Sequence, residues 1–152
     1  MLDNISLNII KILQKKARIP NVEVARQVGL APSAVLERIR KLEKQGIIDG
    51  YEVRLNPERF QRSLVAFITV KTAGLCNIND AGLELARIPE IQEVHYLAGD
   101  DAYLLKARVA DTKALNRLVN EKIAGINNLF STKTGIALAT FKETAQIPLE
   151  EQ

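Results

Sequence analysis

The sequence predicts an α+β protein of two domains, three helices first and a βαββαβ unit after them. Three observations predict this. Apolar residues between positions 4 and 44 recur at helical spacing, punctuated by Pro20, Gly29, Pro32 and Gly46. From residue 64 onward, runs of branched and aromatic residues alternate with helical stretches. The charge is uneven: residues 1–60 hold 11 Lys and Arg against 7 Asp and Glu, and residues 61–152 hold 10 against 11. A basic first part ahead of a nearly neutral second part suggests that one half meets a polyanion.

Residues 4–17, NISLNIIKILQKKA, place Ile5, Ile9, Ile12 and Leu13 on one helical face. Ile19-Pro20 ends that helix, because proline disfavours the helical conformation in the residue before it. Asn21 is expected to cap a short second helix with Val24, Ala25 and Val28 inward, and Gly29 to stop it. Pro32 opens a third helix from a position that needs no backbone N–H, and Gly46 closes it.

At about 100° per residue, Val35, Leu36, Ile39 and Leu42 fall on one side of the third helix. Ser33, Ala34, Glu37, Lys41 and Lys44 fall on the other, with Arg38 and Arg40 on the flanks. The apolar side must pack on the first two helices, so the polar side is held outward on a rigid support. Helix, short glycine turn, helix is the helix-turn-helix signature, whose second helix enters the DNA major groove. Ser33, Ala34, Glu37 and Arg38 are then expected nearest the bases. Arg40, Lys41 and Lys44 are expected to meet phosphates, joined by Arg18, Lys15 and Lys16 from the end of the first helix. Glu37 is also spaced to pair with Lys41.

The remaining elements follow in order. Ile48 to Leu55 reads as a strand, broken by Asn56-Pro57. Residues 64–72 are a strand. Residues 79–88 are a helix with Leu83, Leu85 and Ala86 inward, ended by Pro89. Ile91 to Ala98 is a strand, Gly99-Asp100-Asp101 a turn, and Ala102 to Val109 an alternating strand. Thr112 begins a helix with Leu115, Leu118, Val119 and Ile123 at core spacing, and Gly135 to Phe141 closes as the last strand. This order is the ferredoxin-like arrangement, an antiparallel sheet with both helices on one face. The uncovered face would need a partner, and a second copy of the chain is the cheapest one. The expected boundaries are 1–50 for the helix-turn-helix domain, 51–62 for strand and linker, 63–143 for the second domain and 144–152 for a tail.

At this point the chain resembles the leucine-responsive regulatory protein/AsnC family of transcription regulators, also called feast/famine regulators. The resemblance covers about residues 2–142. It is strongest in VEVARQVGLAPSAVLERIRKLEKQGIIDGY and in EIQEVHYLAGDDAYLLKARVAD. It implies a simple or winged helix-turn-helix domain joined to an amino-acid-sensing domain, in dimers that assemble further, often into octamers. It also implies effector binding between dimers, by Gly99, Asp100, Asp101, Ala102 and Tyr103 together with Gly135, Ile136 and Ala137 of a neighbouring subunit's last strand. Three positions depart from the family pattern. Ala102 replaces a common aspartate, removing a carboxylate suited to a ligand ammonium. Ala31 replaces a common serine cap, and Ser6 a frequent aspartate.

No catalytic or metal constellation emerges: there is one histidine, His95, one cysteine, Cys76, and no glycine-rich phosphate loop. The expectation is therefore a non-enzyme with no cofactor beyond a possible amino-acid effector. An effector-independent architectural DNA-binding protein is one alternative. Some sirohaem decarboxylases resemble this family in both domains, which supplies a catalytic alternative, but that chemistry would have only His95 to draw on. One cysteine, no apolar run of membrane length and no leader-like N-terminus give a cytoplasmic, nucleoid-associated expectation.

Overall fold

The computed structural model describes residues 2–73 and 78–149; Cys76 lies outside the described residues. The chain divides into two compact units. One takes the chain up to Arg54 together with the segment from Lys142 onward, and the other is Leu55–Phe141.

The first unit is built on α1 (Asn4–Lys15), α2 (Asn21–Val28) and α3 (Pro32–Lys44). Asp3 caps α1, its carboxylate accepting the Ser6 N–H at 2.7 Å. Helix α1 stops at Lys15, two residues before the predicted end. Asn21 does not cap α2. The cap position falls on Pro20, whose fixed φ of −61° leads into the helix without a side-chain bond. Gly29, at φ 70°, ends α2 in the left-handed conformation that only glycine adopts without strain. Ala31 likewise offers α3 no side-chain cap, a loss of about 1 kcal/mol. Ile9, Leu13, Val24, Ala25, Val35 and Ile39 form the buried centre. Leu36, predicted inward, is half out in solvent because the three-helix wedge closes over Val35 and Ile39 instead.

Two predicted features of this region take a different form. Residues 48–55 form no strand, although the stretch is β-rich in composition. A strand must exchange backbone hydrogen bonds with a neighbour, and no described residue pairs with it, so Tyr51, Val53 and Leu55 stay exposed. The tail, in contrast, is tied down. The Gln14 side-chain amide donates to the Ile147 carbonyl at 3.1 Å and accepts its N–H at 2.9 Å, while Gln146 donates to the Gln14 carbonyl at 2.8 Å.

The second unit opens with a 3-10 turn (Pro57–Phe60) and continues β1 (Leu64–Thr72), α4 (Ile78–Ala86), β2 (Ile91–Leu97), β3 (Ala102–Val109), α5 (Thr112–Arg117) and β4 (Leu129–Ile136). The antiparallel sheet has order β2-β3-β1-β4, the ferredoxin-like topology. Ala66, Ile68, Val70, Tyr103, Leu105, Ala107 and Val109 line the core face beneath both helices. Residues Leu118–Ile123 prolong α5 as a π-helix, in which Leu118 and Ile123 turn to the same side and both become buried.

The sequence misplaces two details here. Leu83 is 60% exposed and Ala86 is exposed, whereas Ala81 and Leu85 are buried, so α4 is turned relative to the predicted phase. The last strand is Leu129–Ile136 rather than 135–141. It runs along β1 from Thr72 opposite Leu129 to Ala66 opposite Ile136, leaving only Leu64 and Val65 of β1 beyond the ladder. The Ala137 N–H still bonds the Val65 carbonyl, and beyond it the chain makes no further pairing with β1 among the described residues. Leu138 and Phe141 are consequently 99% exposed.

Candidate functional site

The polar face of α3 is the first candidate. Val35, Ile39 and Leu42 anchor the helix. On the other side Ser33, Glu37, Arg40, Lys41 and Lys44 are exposed, and Ala34 is half-buried. The predicted Glu37–Lys41 pair does not form among the described residues; an exposed pair of this kind is worth only a few tenths of a kcal/mol. Lys15, Lys16 and Arg18 are exposed at the turn between α1 and α2.

Arg38 behaves differently from its neighbours. Its side chain is 34% exposed, and its Nη1 donates to Asp3 Oδ2 at 2.6 Å and to Ser6 Oγ at 3.1 Å. The Ser6 backbone N–H and the Arg38 guanidinium hold the Asp3 carboxyl down at about 2. Asp3 and Ser6 are therefore part of this face. The sequence reading did not assign them to it, because 35 residues separate Asp3 from Arg38 and only the fold joins them. Tyr51 also reaches α3, donating to Glu43 Oε1 at 2.9 Å; burial and then the Glu43 carboxylate push its hydroxyl up to about 12.

The β2–β3 turn is the second candidate. Gly99 has φ 93° and Asp101 φ 47°, so the chain reverses through two left-handed positions. The Asp101 carbonyl accepts the Thr72 N–H and hydroxyl, both at 3.1 Å, and its carboxylate accepts the Tyr96 hydroxyl at 3.3 Å. Asp100 is exposed. Ala102 is fully buried, and Tyr103 turns into the core, its hydroxyl donating to the Ile78 carbonyl. Gly135, Ile136 and Ala137 lie at the other end of the sheet. Ile136 faces Ala66 on β1, whereas Ala102 faces Lys71. Five strand positions separate the two groups, about 17 Å at the usual rise per residue. One chain does not bring the two groups together.

A cavity of about 260 Å³ lies elsewhere, lined by Arg62, Pro89, Glu90, Gln92 and Arg108. None of the predicted effector residues lines it. Lys122 pairs with Glu90 at 2.6 Å there and holds its carboxyl below the usual range. On the sheet face away from the helices, His95 lies 3.3 Å from Glu93, which also pairs with Lys106 at 3.1 Å. Among the described residues no group of His, Cys, Asp and Glu could hold a metal ion. No helix among them is long and apolar enough to cross a membrane.

Comparison with known proteins decides the family. Residues 65–147 match the Lrp/AsnC ligand binding domain, and residues 2–49 match a winged helix-turn-helix DNA-binding domain. The leucine-responsive regulatory proteins of Escherichia coli K12 and Salmonella typhimurium are each 37% identical over 151 residues, covering 98% of this chain and 92% of theirs. The chain belongs to the Lrp/AsnC family. The solved structures agree. Escherichia coli AsnC is 26% identical with a TM-score of 0.88, covering 97% of this chain and 99% of that one. A Neisseria meningitidis transcriptional regulator in complex with L-methionine is 30% identical with a TM-score of 0.91, covering 97% of each chain. A Mycobacterium tuberculosis feast or famine regulatory protein complexed with L-methionine is 33% identical with a TM-score of 0.88, covering 97% and 99%. This Lrp/AsnC protein is thus a transcriptional regulator with a DNA-binding unit and a ligand-binding unit.

Proposed function

We propose that this regulator binds a pseudo-palindromic operator through α3, as a homodimer that assembles further, most simply to an octamer, in the cytoplasm. Ser33, Ala34, Glu37 and Arg38 meet base edges in the major groove, and Arg18, Arg40, Lys41 and Lys44 meet phosphates. The single observation that supports this is the division of α3. Val35, Ile39 and Leu42 are buried, while Ser33, Glu37, Arg40, Lys41 and Lys44 opposite them are exposed and Ala34 and Arg38 are half-buried.

We further propose that an amino acid binds between dimers and biases their arrangement. The Gly99–Tyr103 turn of one subunit and Gly135–Ala137 of another would form the two walls, in keeping with their separation along a single sheet. Related regulators in complex with L-methionine support this class of ligand. No catalytic role is assigned: His95 lies on an open sheet face beside Glu93 and Lys106, not in the cavity.

Ala102 favours a second reading. It stands buried where the family commonly places a carboxylate, so the ligand ammonium has one fewer partner. The protein would then be an architectural DNA-binding regulator without an effector, binding through phosphate contacts and DNA bending. One experiment separates the two. Preferred duplexes are selected from random DNA, and affinity is measured with and without each of the twenty amino acids. A several-fold shift with one of them supports the sensing reading; no shift with any supports the architectural one. Absence of a preferred duplex would overturn the assignment of α3.

A further inference from the structure

We infer that Asp3 is a positioning residue for DNA reading: it holds Arg38 by one nitrogen so that the opposite edge of the guanidinium is presented to a base. The inference rests on the assignment of Arg38 to the groove-facing group.

The geometry is specific. Both bonds to the guanidinium use Nη1, at 2.6 Å from Asp3 Oδ2 and 3.1 Å from Ser6 Oγ. The Nε and Nη2 donors make no hydrogen bond among the described residues. Those two donors form the planar fork that pairs with O6 and N7 of guanine. Asp3 is itself immobilised, because its other oxygen caps α1 through the Ser6 N–H at 2.7 Å. Ser6 is buried, so its hydroxyl is shielded from competing solvent. One carboxylate thus links the start of α1 to the middle of α3. A long side chain that would otherwise sample many rotamers loses that freedom before DNA arrives.

The arrangement also separates this role from a simple ion pair. Removing the Asp3 charge makes the surface more positive, which by itself strengthens binding to any duplex. It also releases Arg38, which weakens discrimination at one base pair. The two effects have opposite signs; the first follows the loss of any carboxylate at this surface, and only the loss of discrimination at one base pair marks the positioning role.

The test uses the full chain and four proteins: wild type, Arg38→Ala, Asp3→Asn and the double variant. Asparagine still accepts the Ser6 N–H, so the cap on α1 is kept. Each is measured on the preferred duplex recovered by selection, on its single-base-pair variants and on a scrambled duplex, with the unfolding midpoint as a control. Arg38→Ala is expected to lower discrimination at one base pair by about 5- to 150-fold, the scale of a lost base contact. Asp3→Asn is expected to lower it several-fold at that same base pair only, with affinity for the scrambled duplex unchanged or raised. The double variant should be no worse than Arg38→Ala.

If Arg38→Ala loses discrimination and Asp3→Asn does not, the positioning role fails while the groove assignment stands. If Asp3→Asn tightens the preferred duplex as much as the scrambled one, Asp3 competes with DNA and the inference is overturned. It is equally overturned if Asp3→Asn weakens all duplexes alike alongside a lower unfolding midpoint. If Arg38→Ala leaves every position unchanged, both the groove assignment of Arg38 and the inference fall.

Discussion

The ring of Tyr103 occupies the space that Gly82 leaves open: a Cβ at position 82 would lie 3.3 Å from Tyr103 Cε1. The ring is almost wholly buried, packs edge-on to Tyr96 with centroids 5.2 Å apart, and is tethered through its hydroxyl to the Ile78 carbonyl. It cannot swing aside, so the contact sets how α4 lies on the sheet. Gly82→Ala is expected to gain about 1 kcal/mol of helix propensity and to lose about 1–3 kcal/mol to overpacking. Gly82→Val, with more bulk and poorer propensity, should show the loss plainly. Urea unfolding of the two variants checks the order, and a Gly82→Val protein as stable as wild type would refute the contact's role.

The acid limb of stability should depend on Asp3. Its carboxyl falls from 3.8 to about 2 on folding, held by the Ser6 N–H first and Arg38 second. A carboxyl depressed on folding contributes fully above its unfolded value, and the contribution disappears as pH drops through the folded value. The urea midpoint of wild type should therefore decline between about pH 4 and pH 2, and Asp3→Asn should make that decline shallower. Glu23, lowered to about 2 by Arg26 and Gln27, supplies a parallel decline that the Asp3 variant leaves in place.

Among the described residues Lys41 has no partner to compete with a phosphate. Lys41→Ala should weaken the preferred and scrambled duplexes by similar factors and reduce the salt slope of binding by about one. Affinity measured across a salt series decides this. A loss confined to the preferred duplex would place Lys41 on a base instead.

The sheet face away from the helices presents Phe67, 45% exposed and directly opposite Gly135, which has no side chain to cover it. If a second copy packs there, Phe67→Asp should dissociate the assembly by burying an unpaired charge at its centre. Sedimentation velocity would show the smaller species, while helical content stays unchanged. Retention of the wild-type assembly by the variant would move the interface elsewhere, for instance to the exposed Phe130, Leu138 and Phe141.

Helix boundaries at the N-terminus were readable because their causes are local. Pro20, Gly29 and Pro32 impose backbone geometry on their own neighbours, and the 3.6-residue apolar period identifies most of the buried face. The strand-helix-strand order was readable for the same reason, and so was the basic face of α3. The β2–β3 turn could be located from Gly99-Asp100-Asp101, whose turn chemistry is likewise local. The cap of α2 and the ends of α1 and β4 were less accurate, since neighbouring segments decide where an element stops.

The sequence by itself determined the three N-terminal helices, the order of strands and helices from residue 64 onward, and which side of α3 must face outward; it did not determine that residues 48–55 form no strand. Only the tertiary structure decided the relations between distant residues. Ala66 and Ile136, not the apolar run after them, set where β4 ends, because backbone hydrogen bonds require a partner of matching length. Tyr103 and Gly82, not the apolar pattern of α4, set that helix's rotation. Asp3 and Arg38 meet because α1 and α3 cross, and no periodicity within either helix encodes the partner of a side chain on the other.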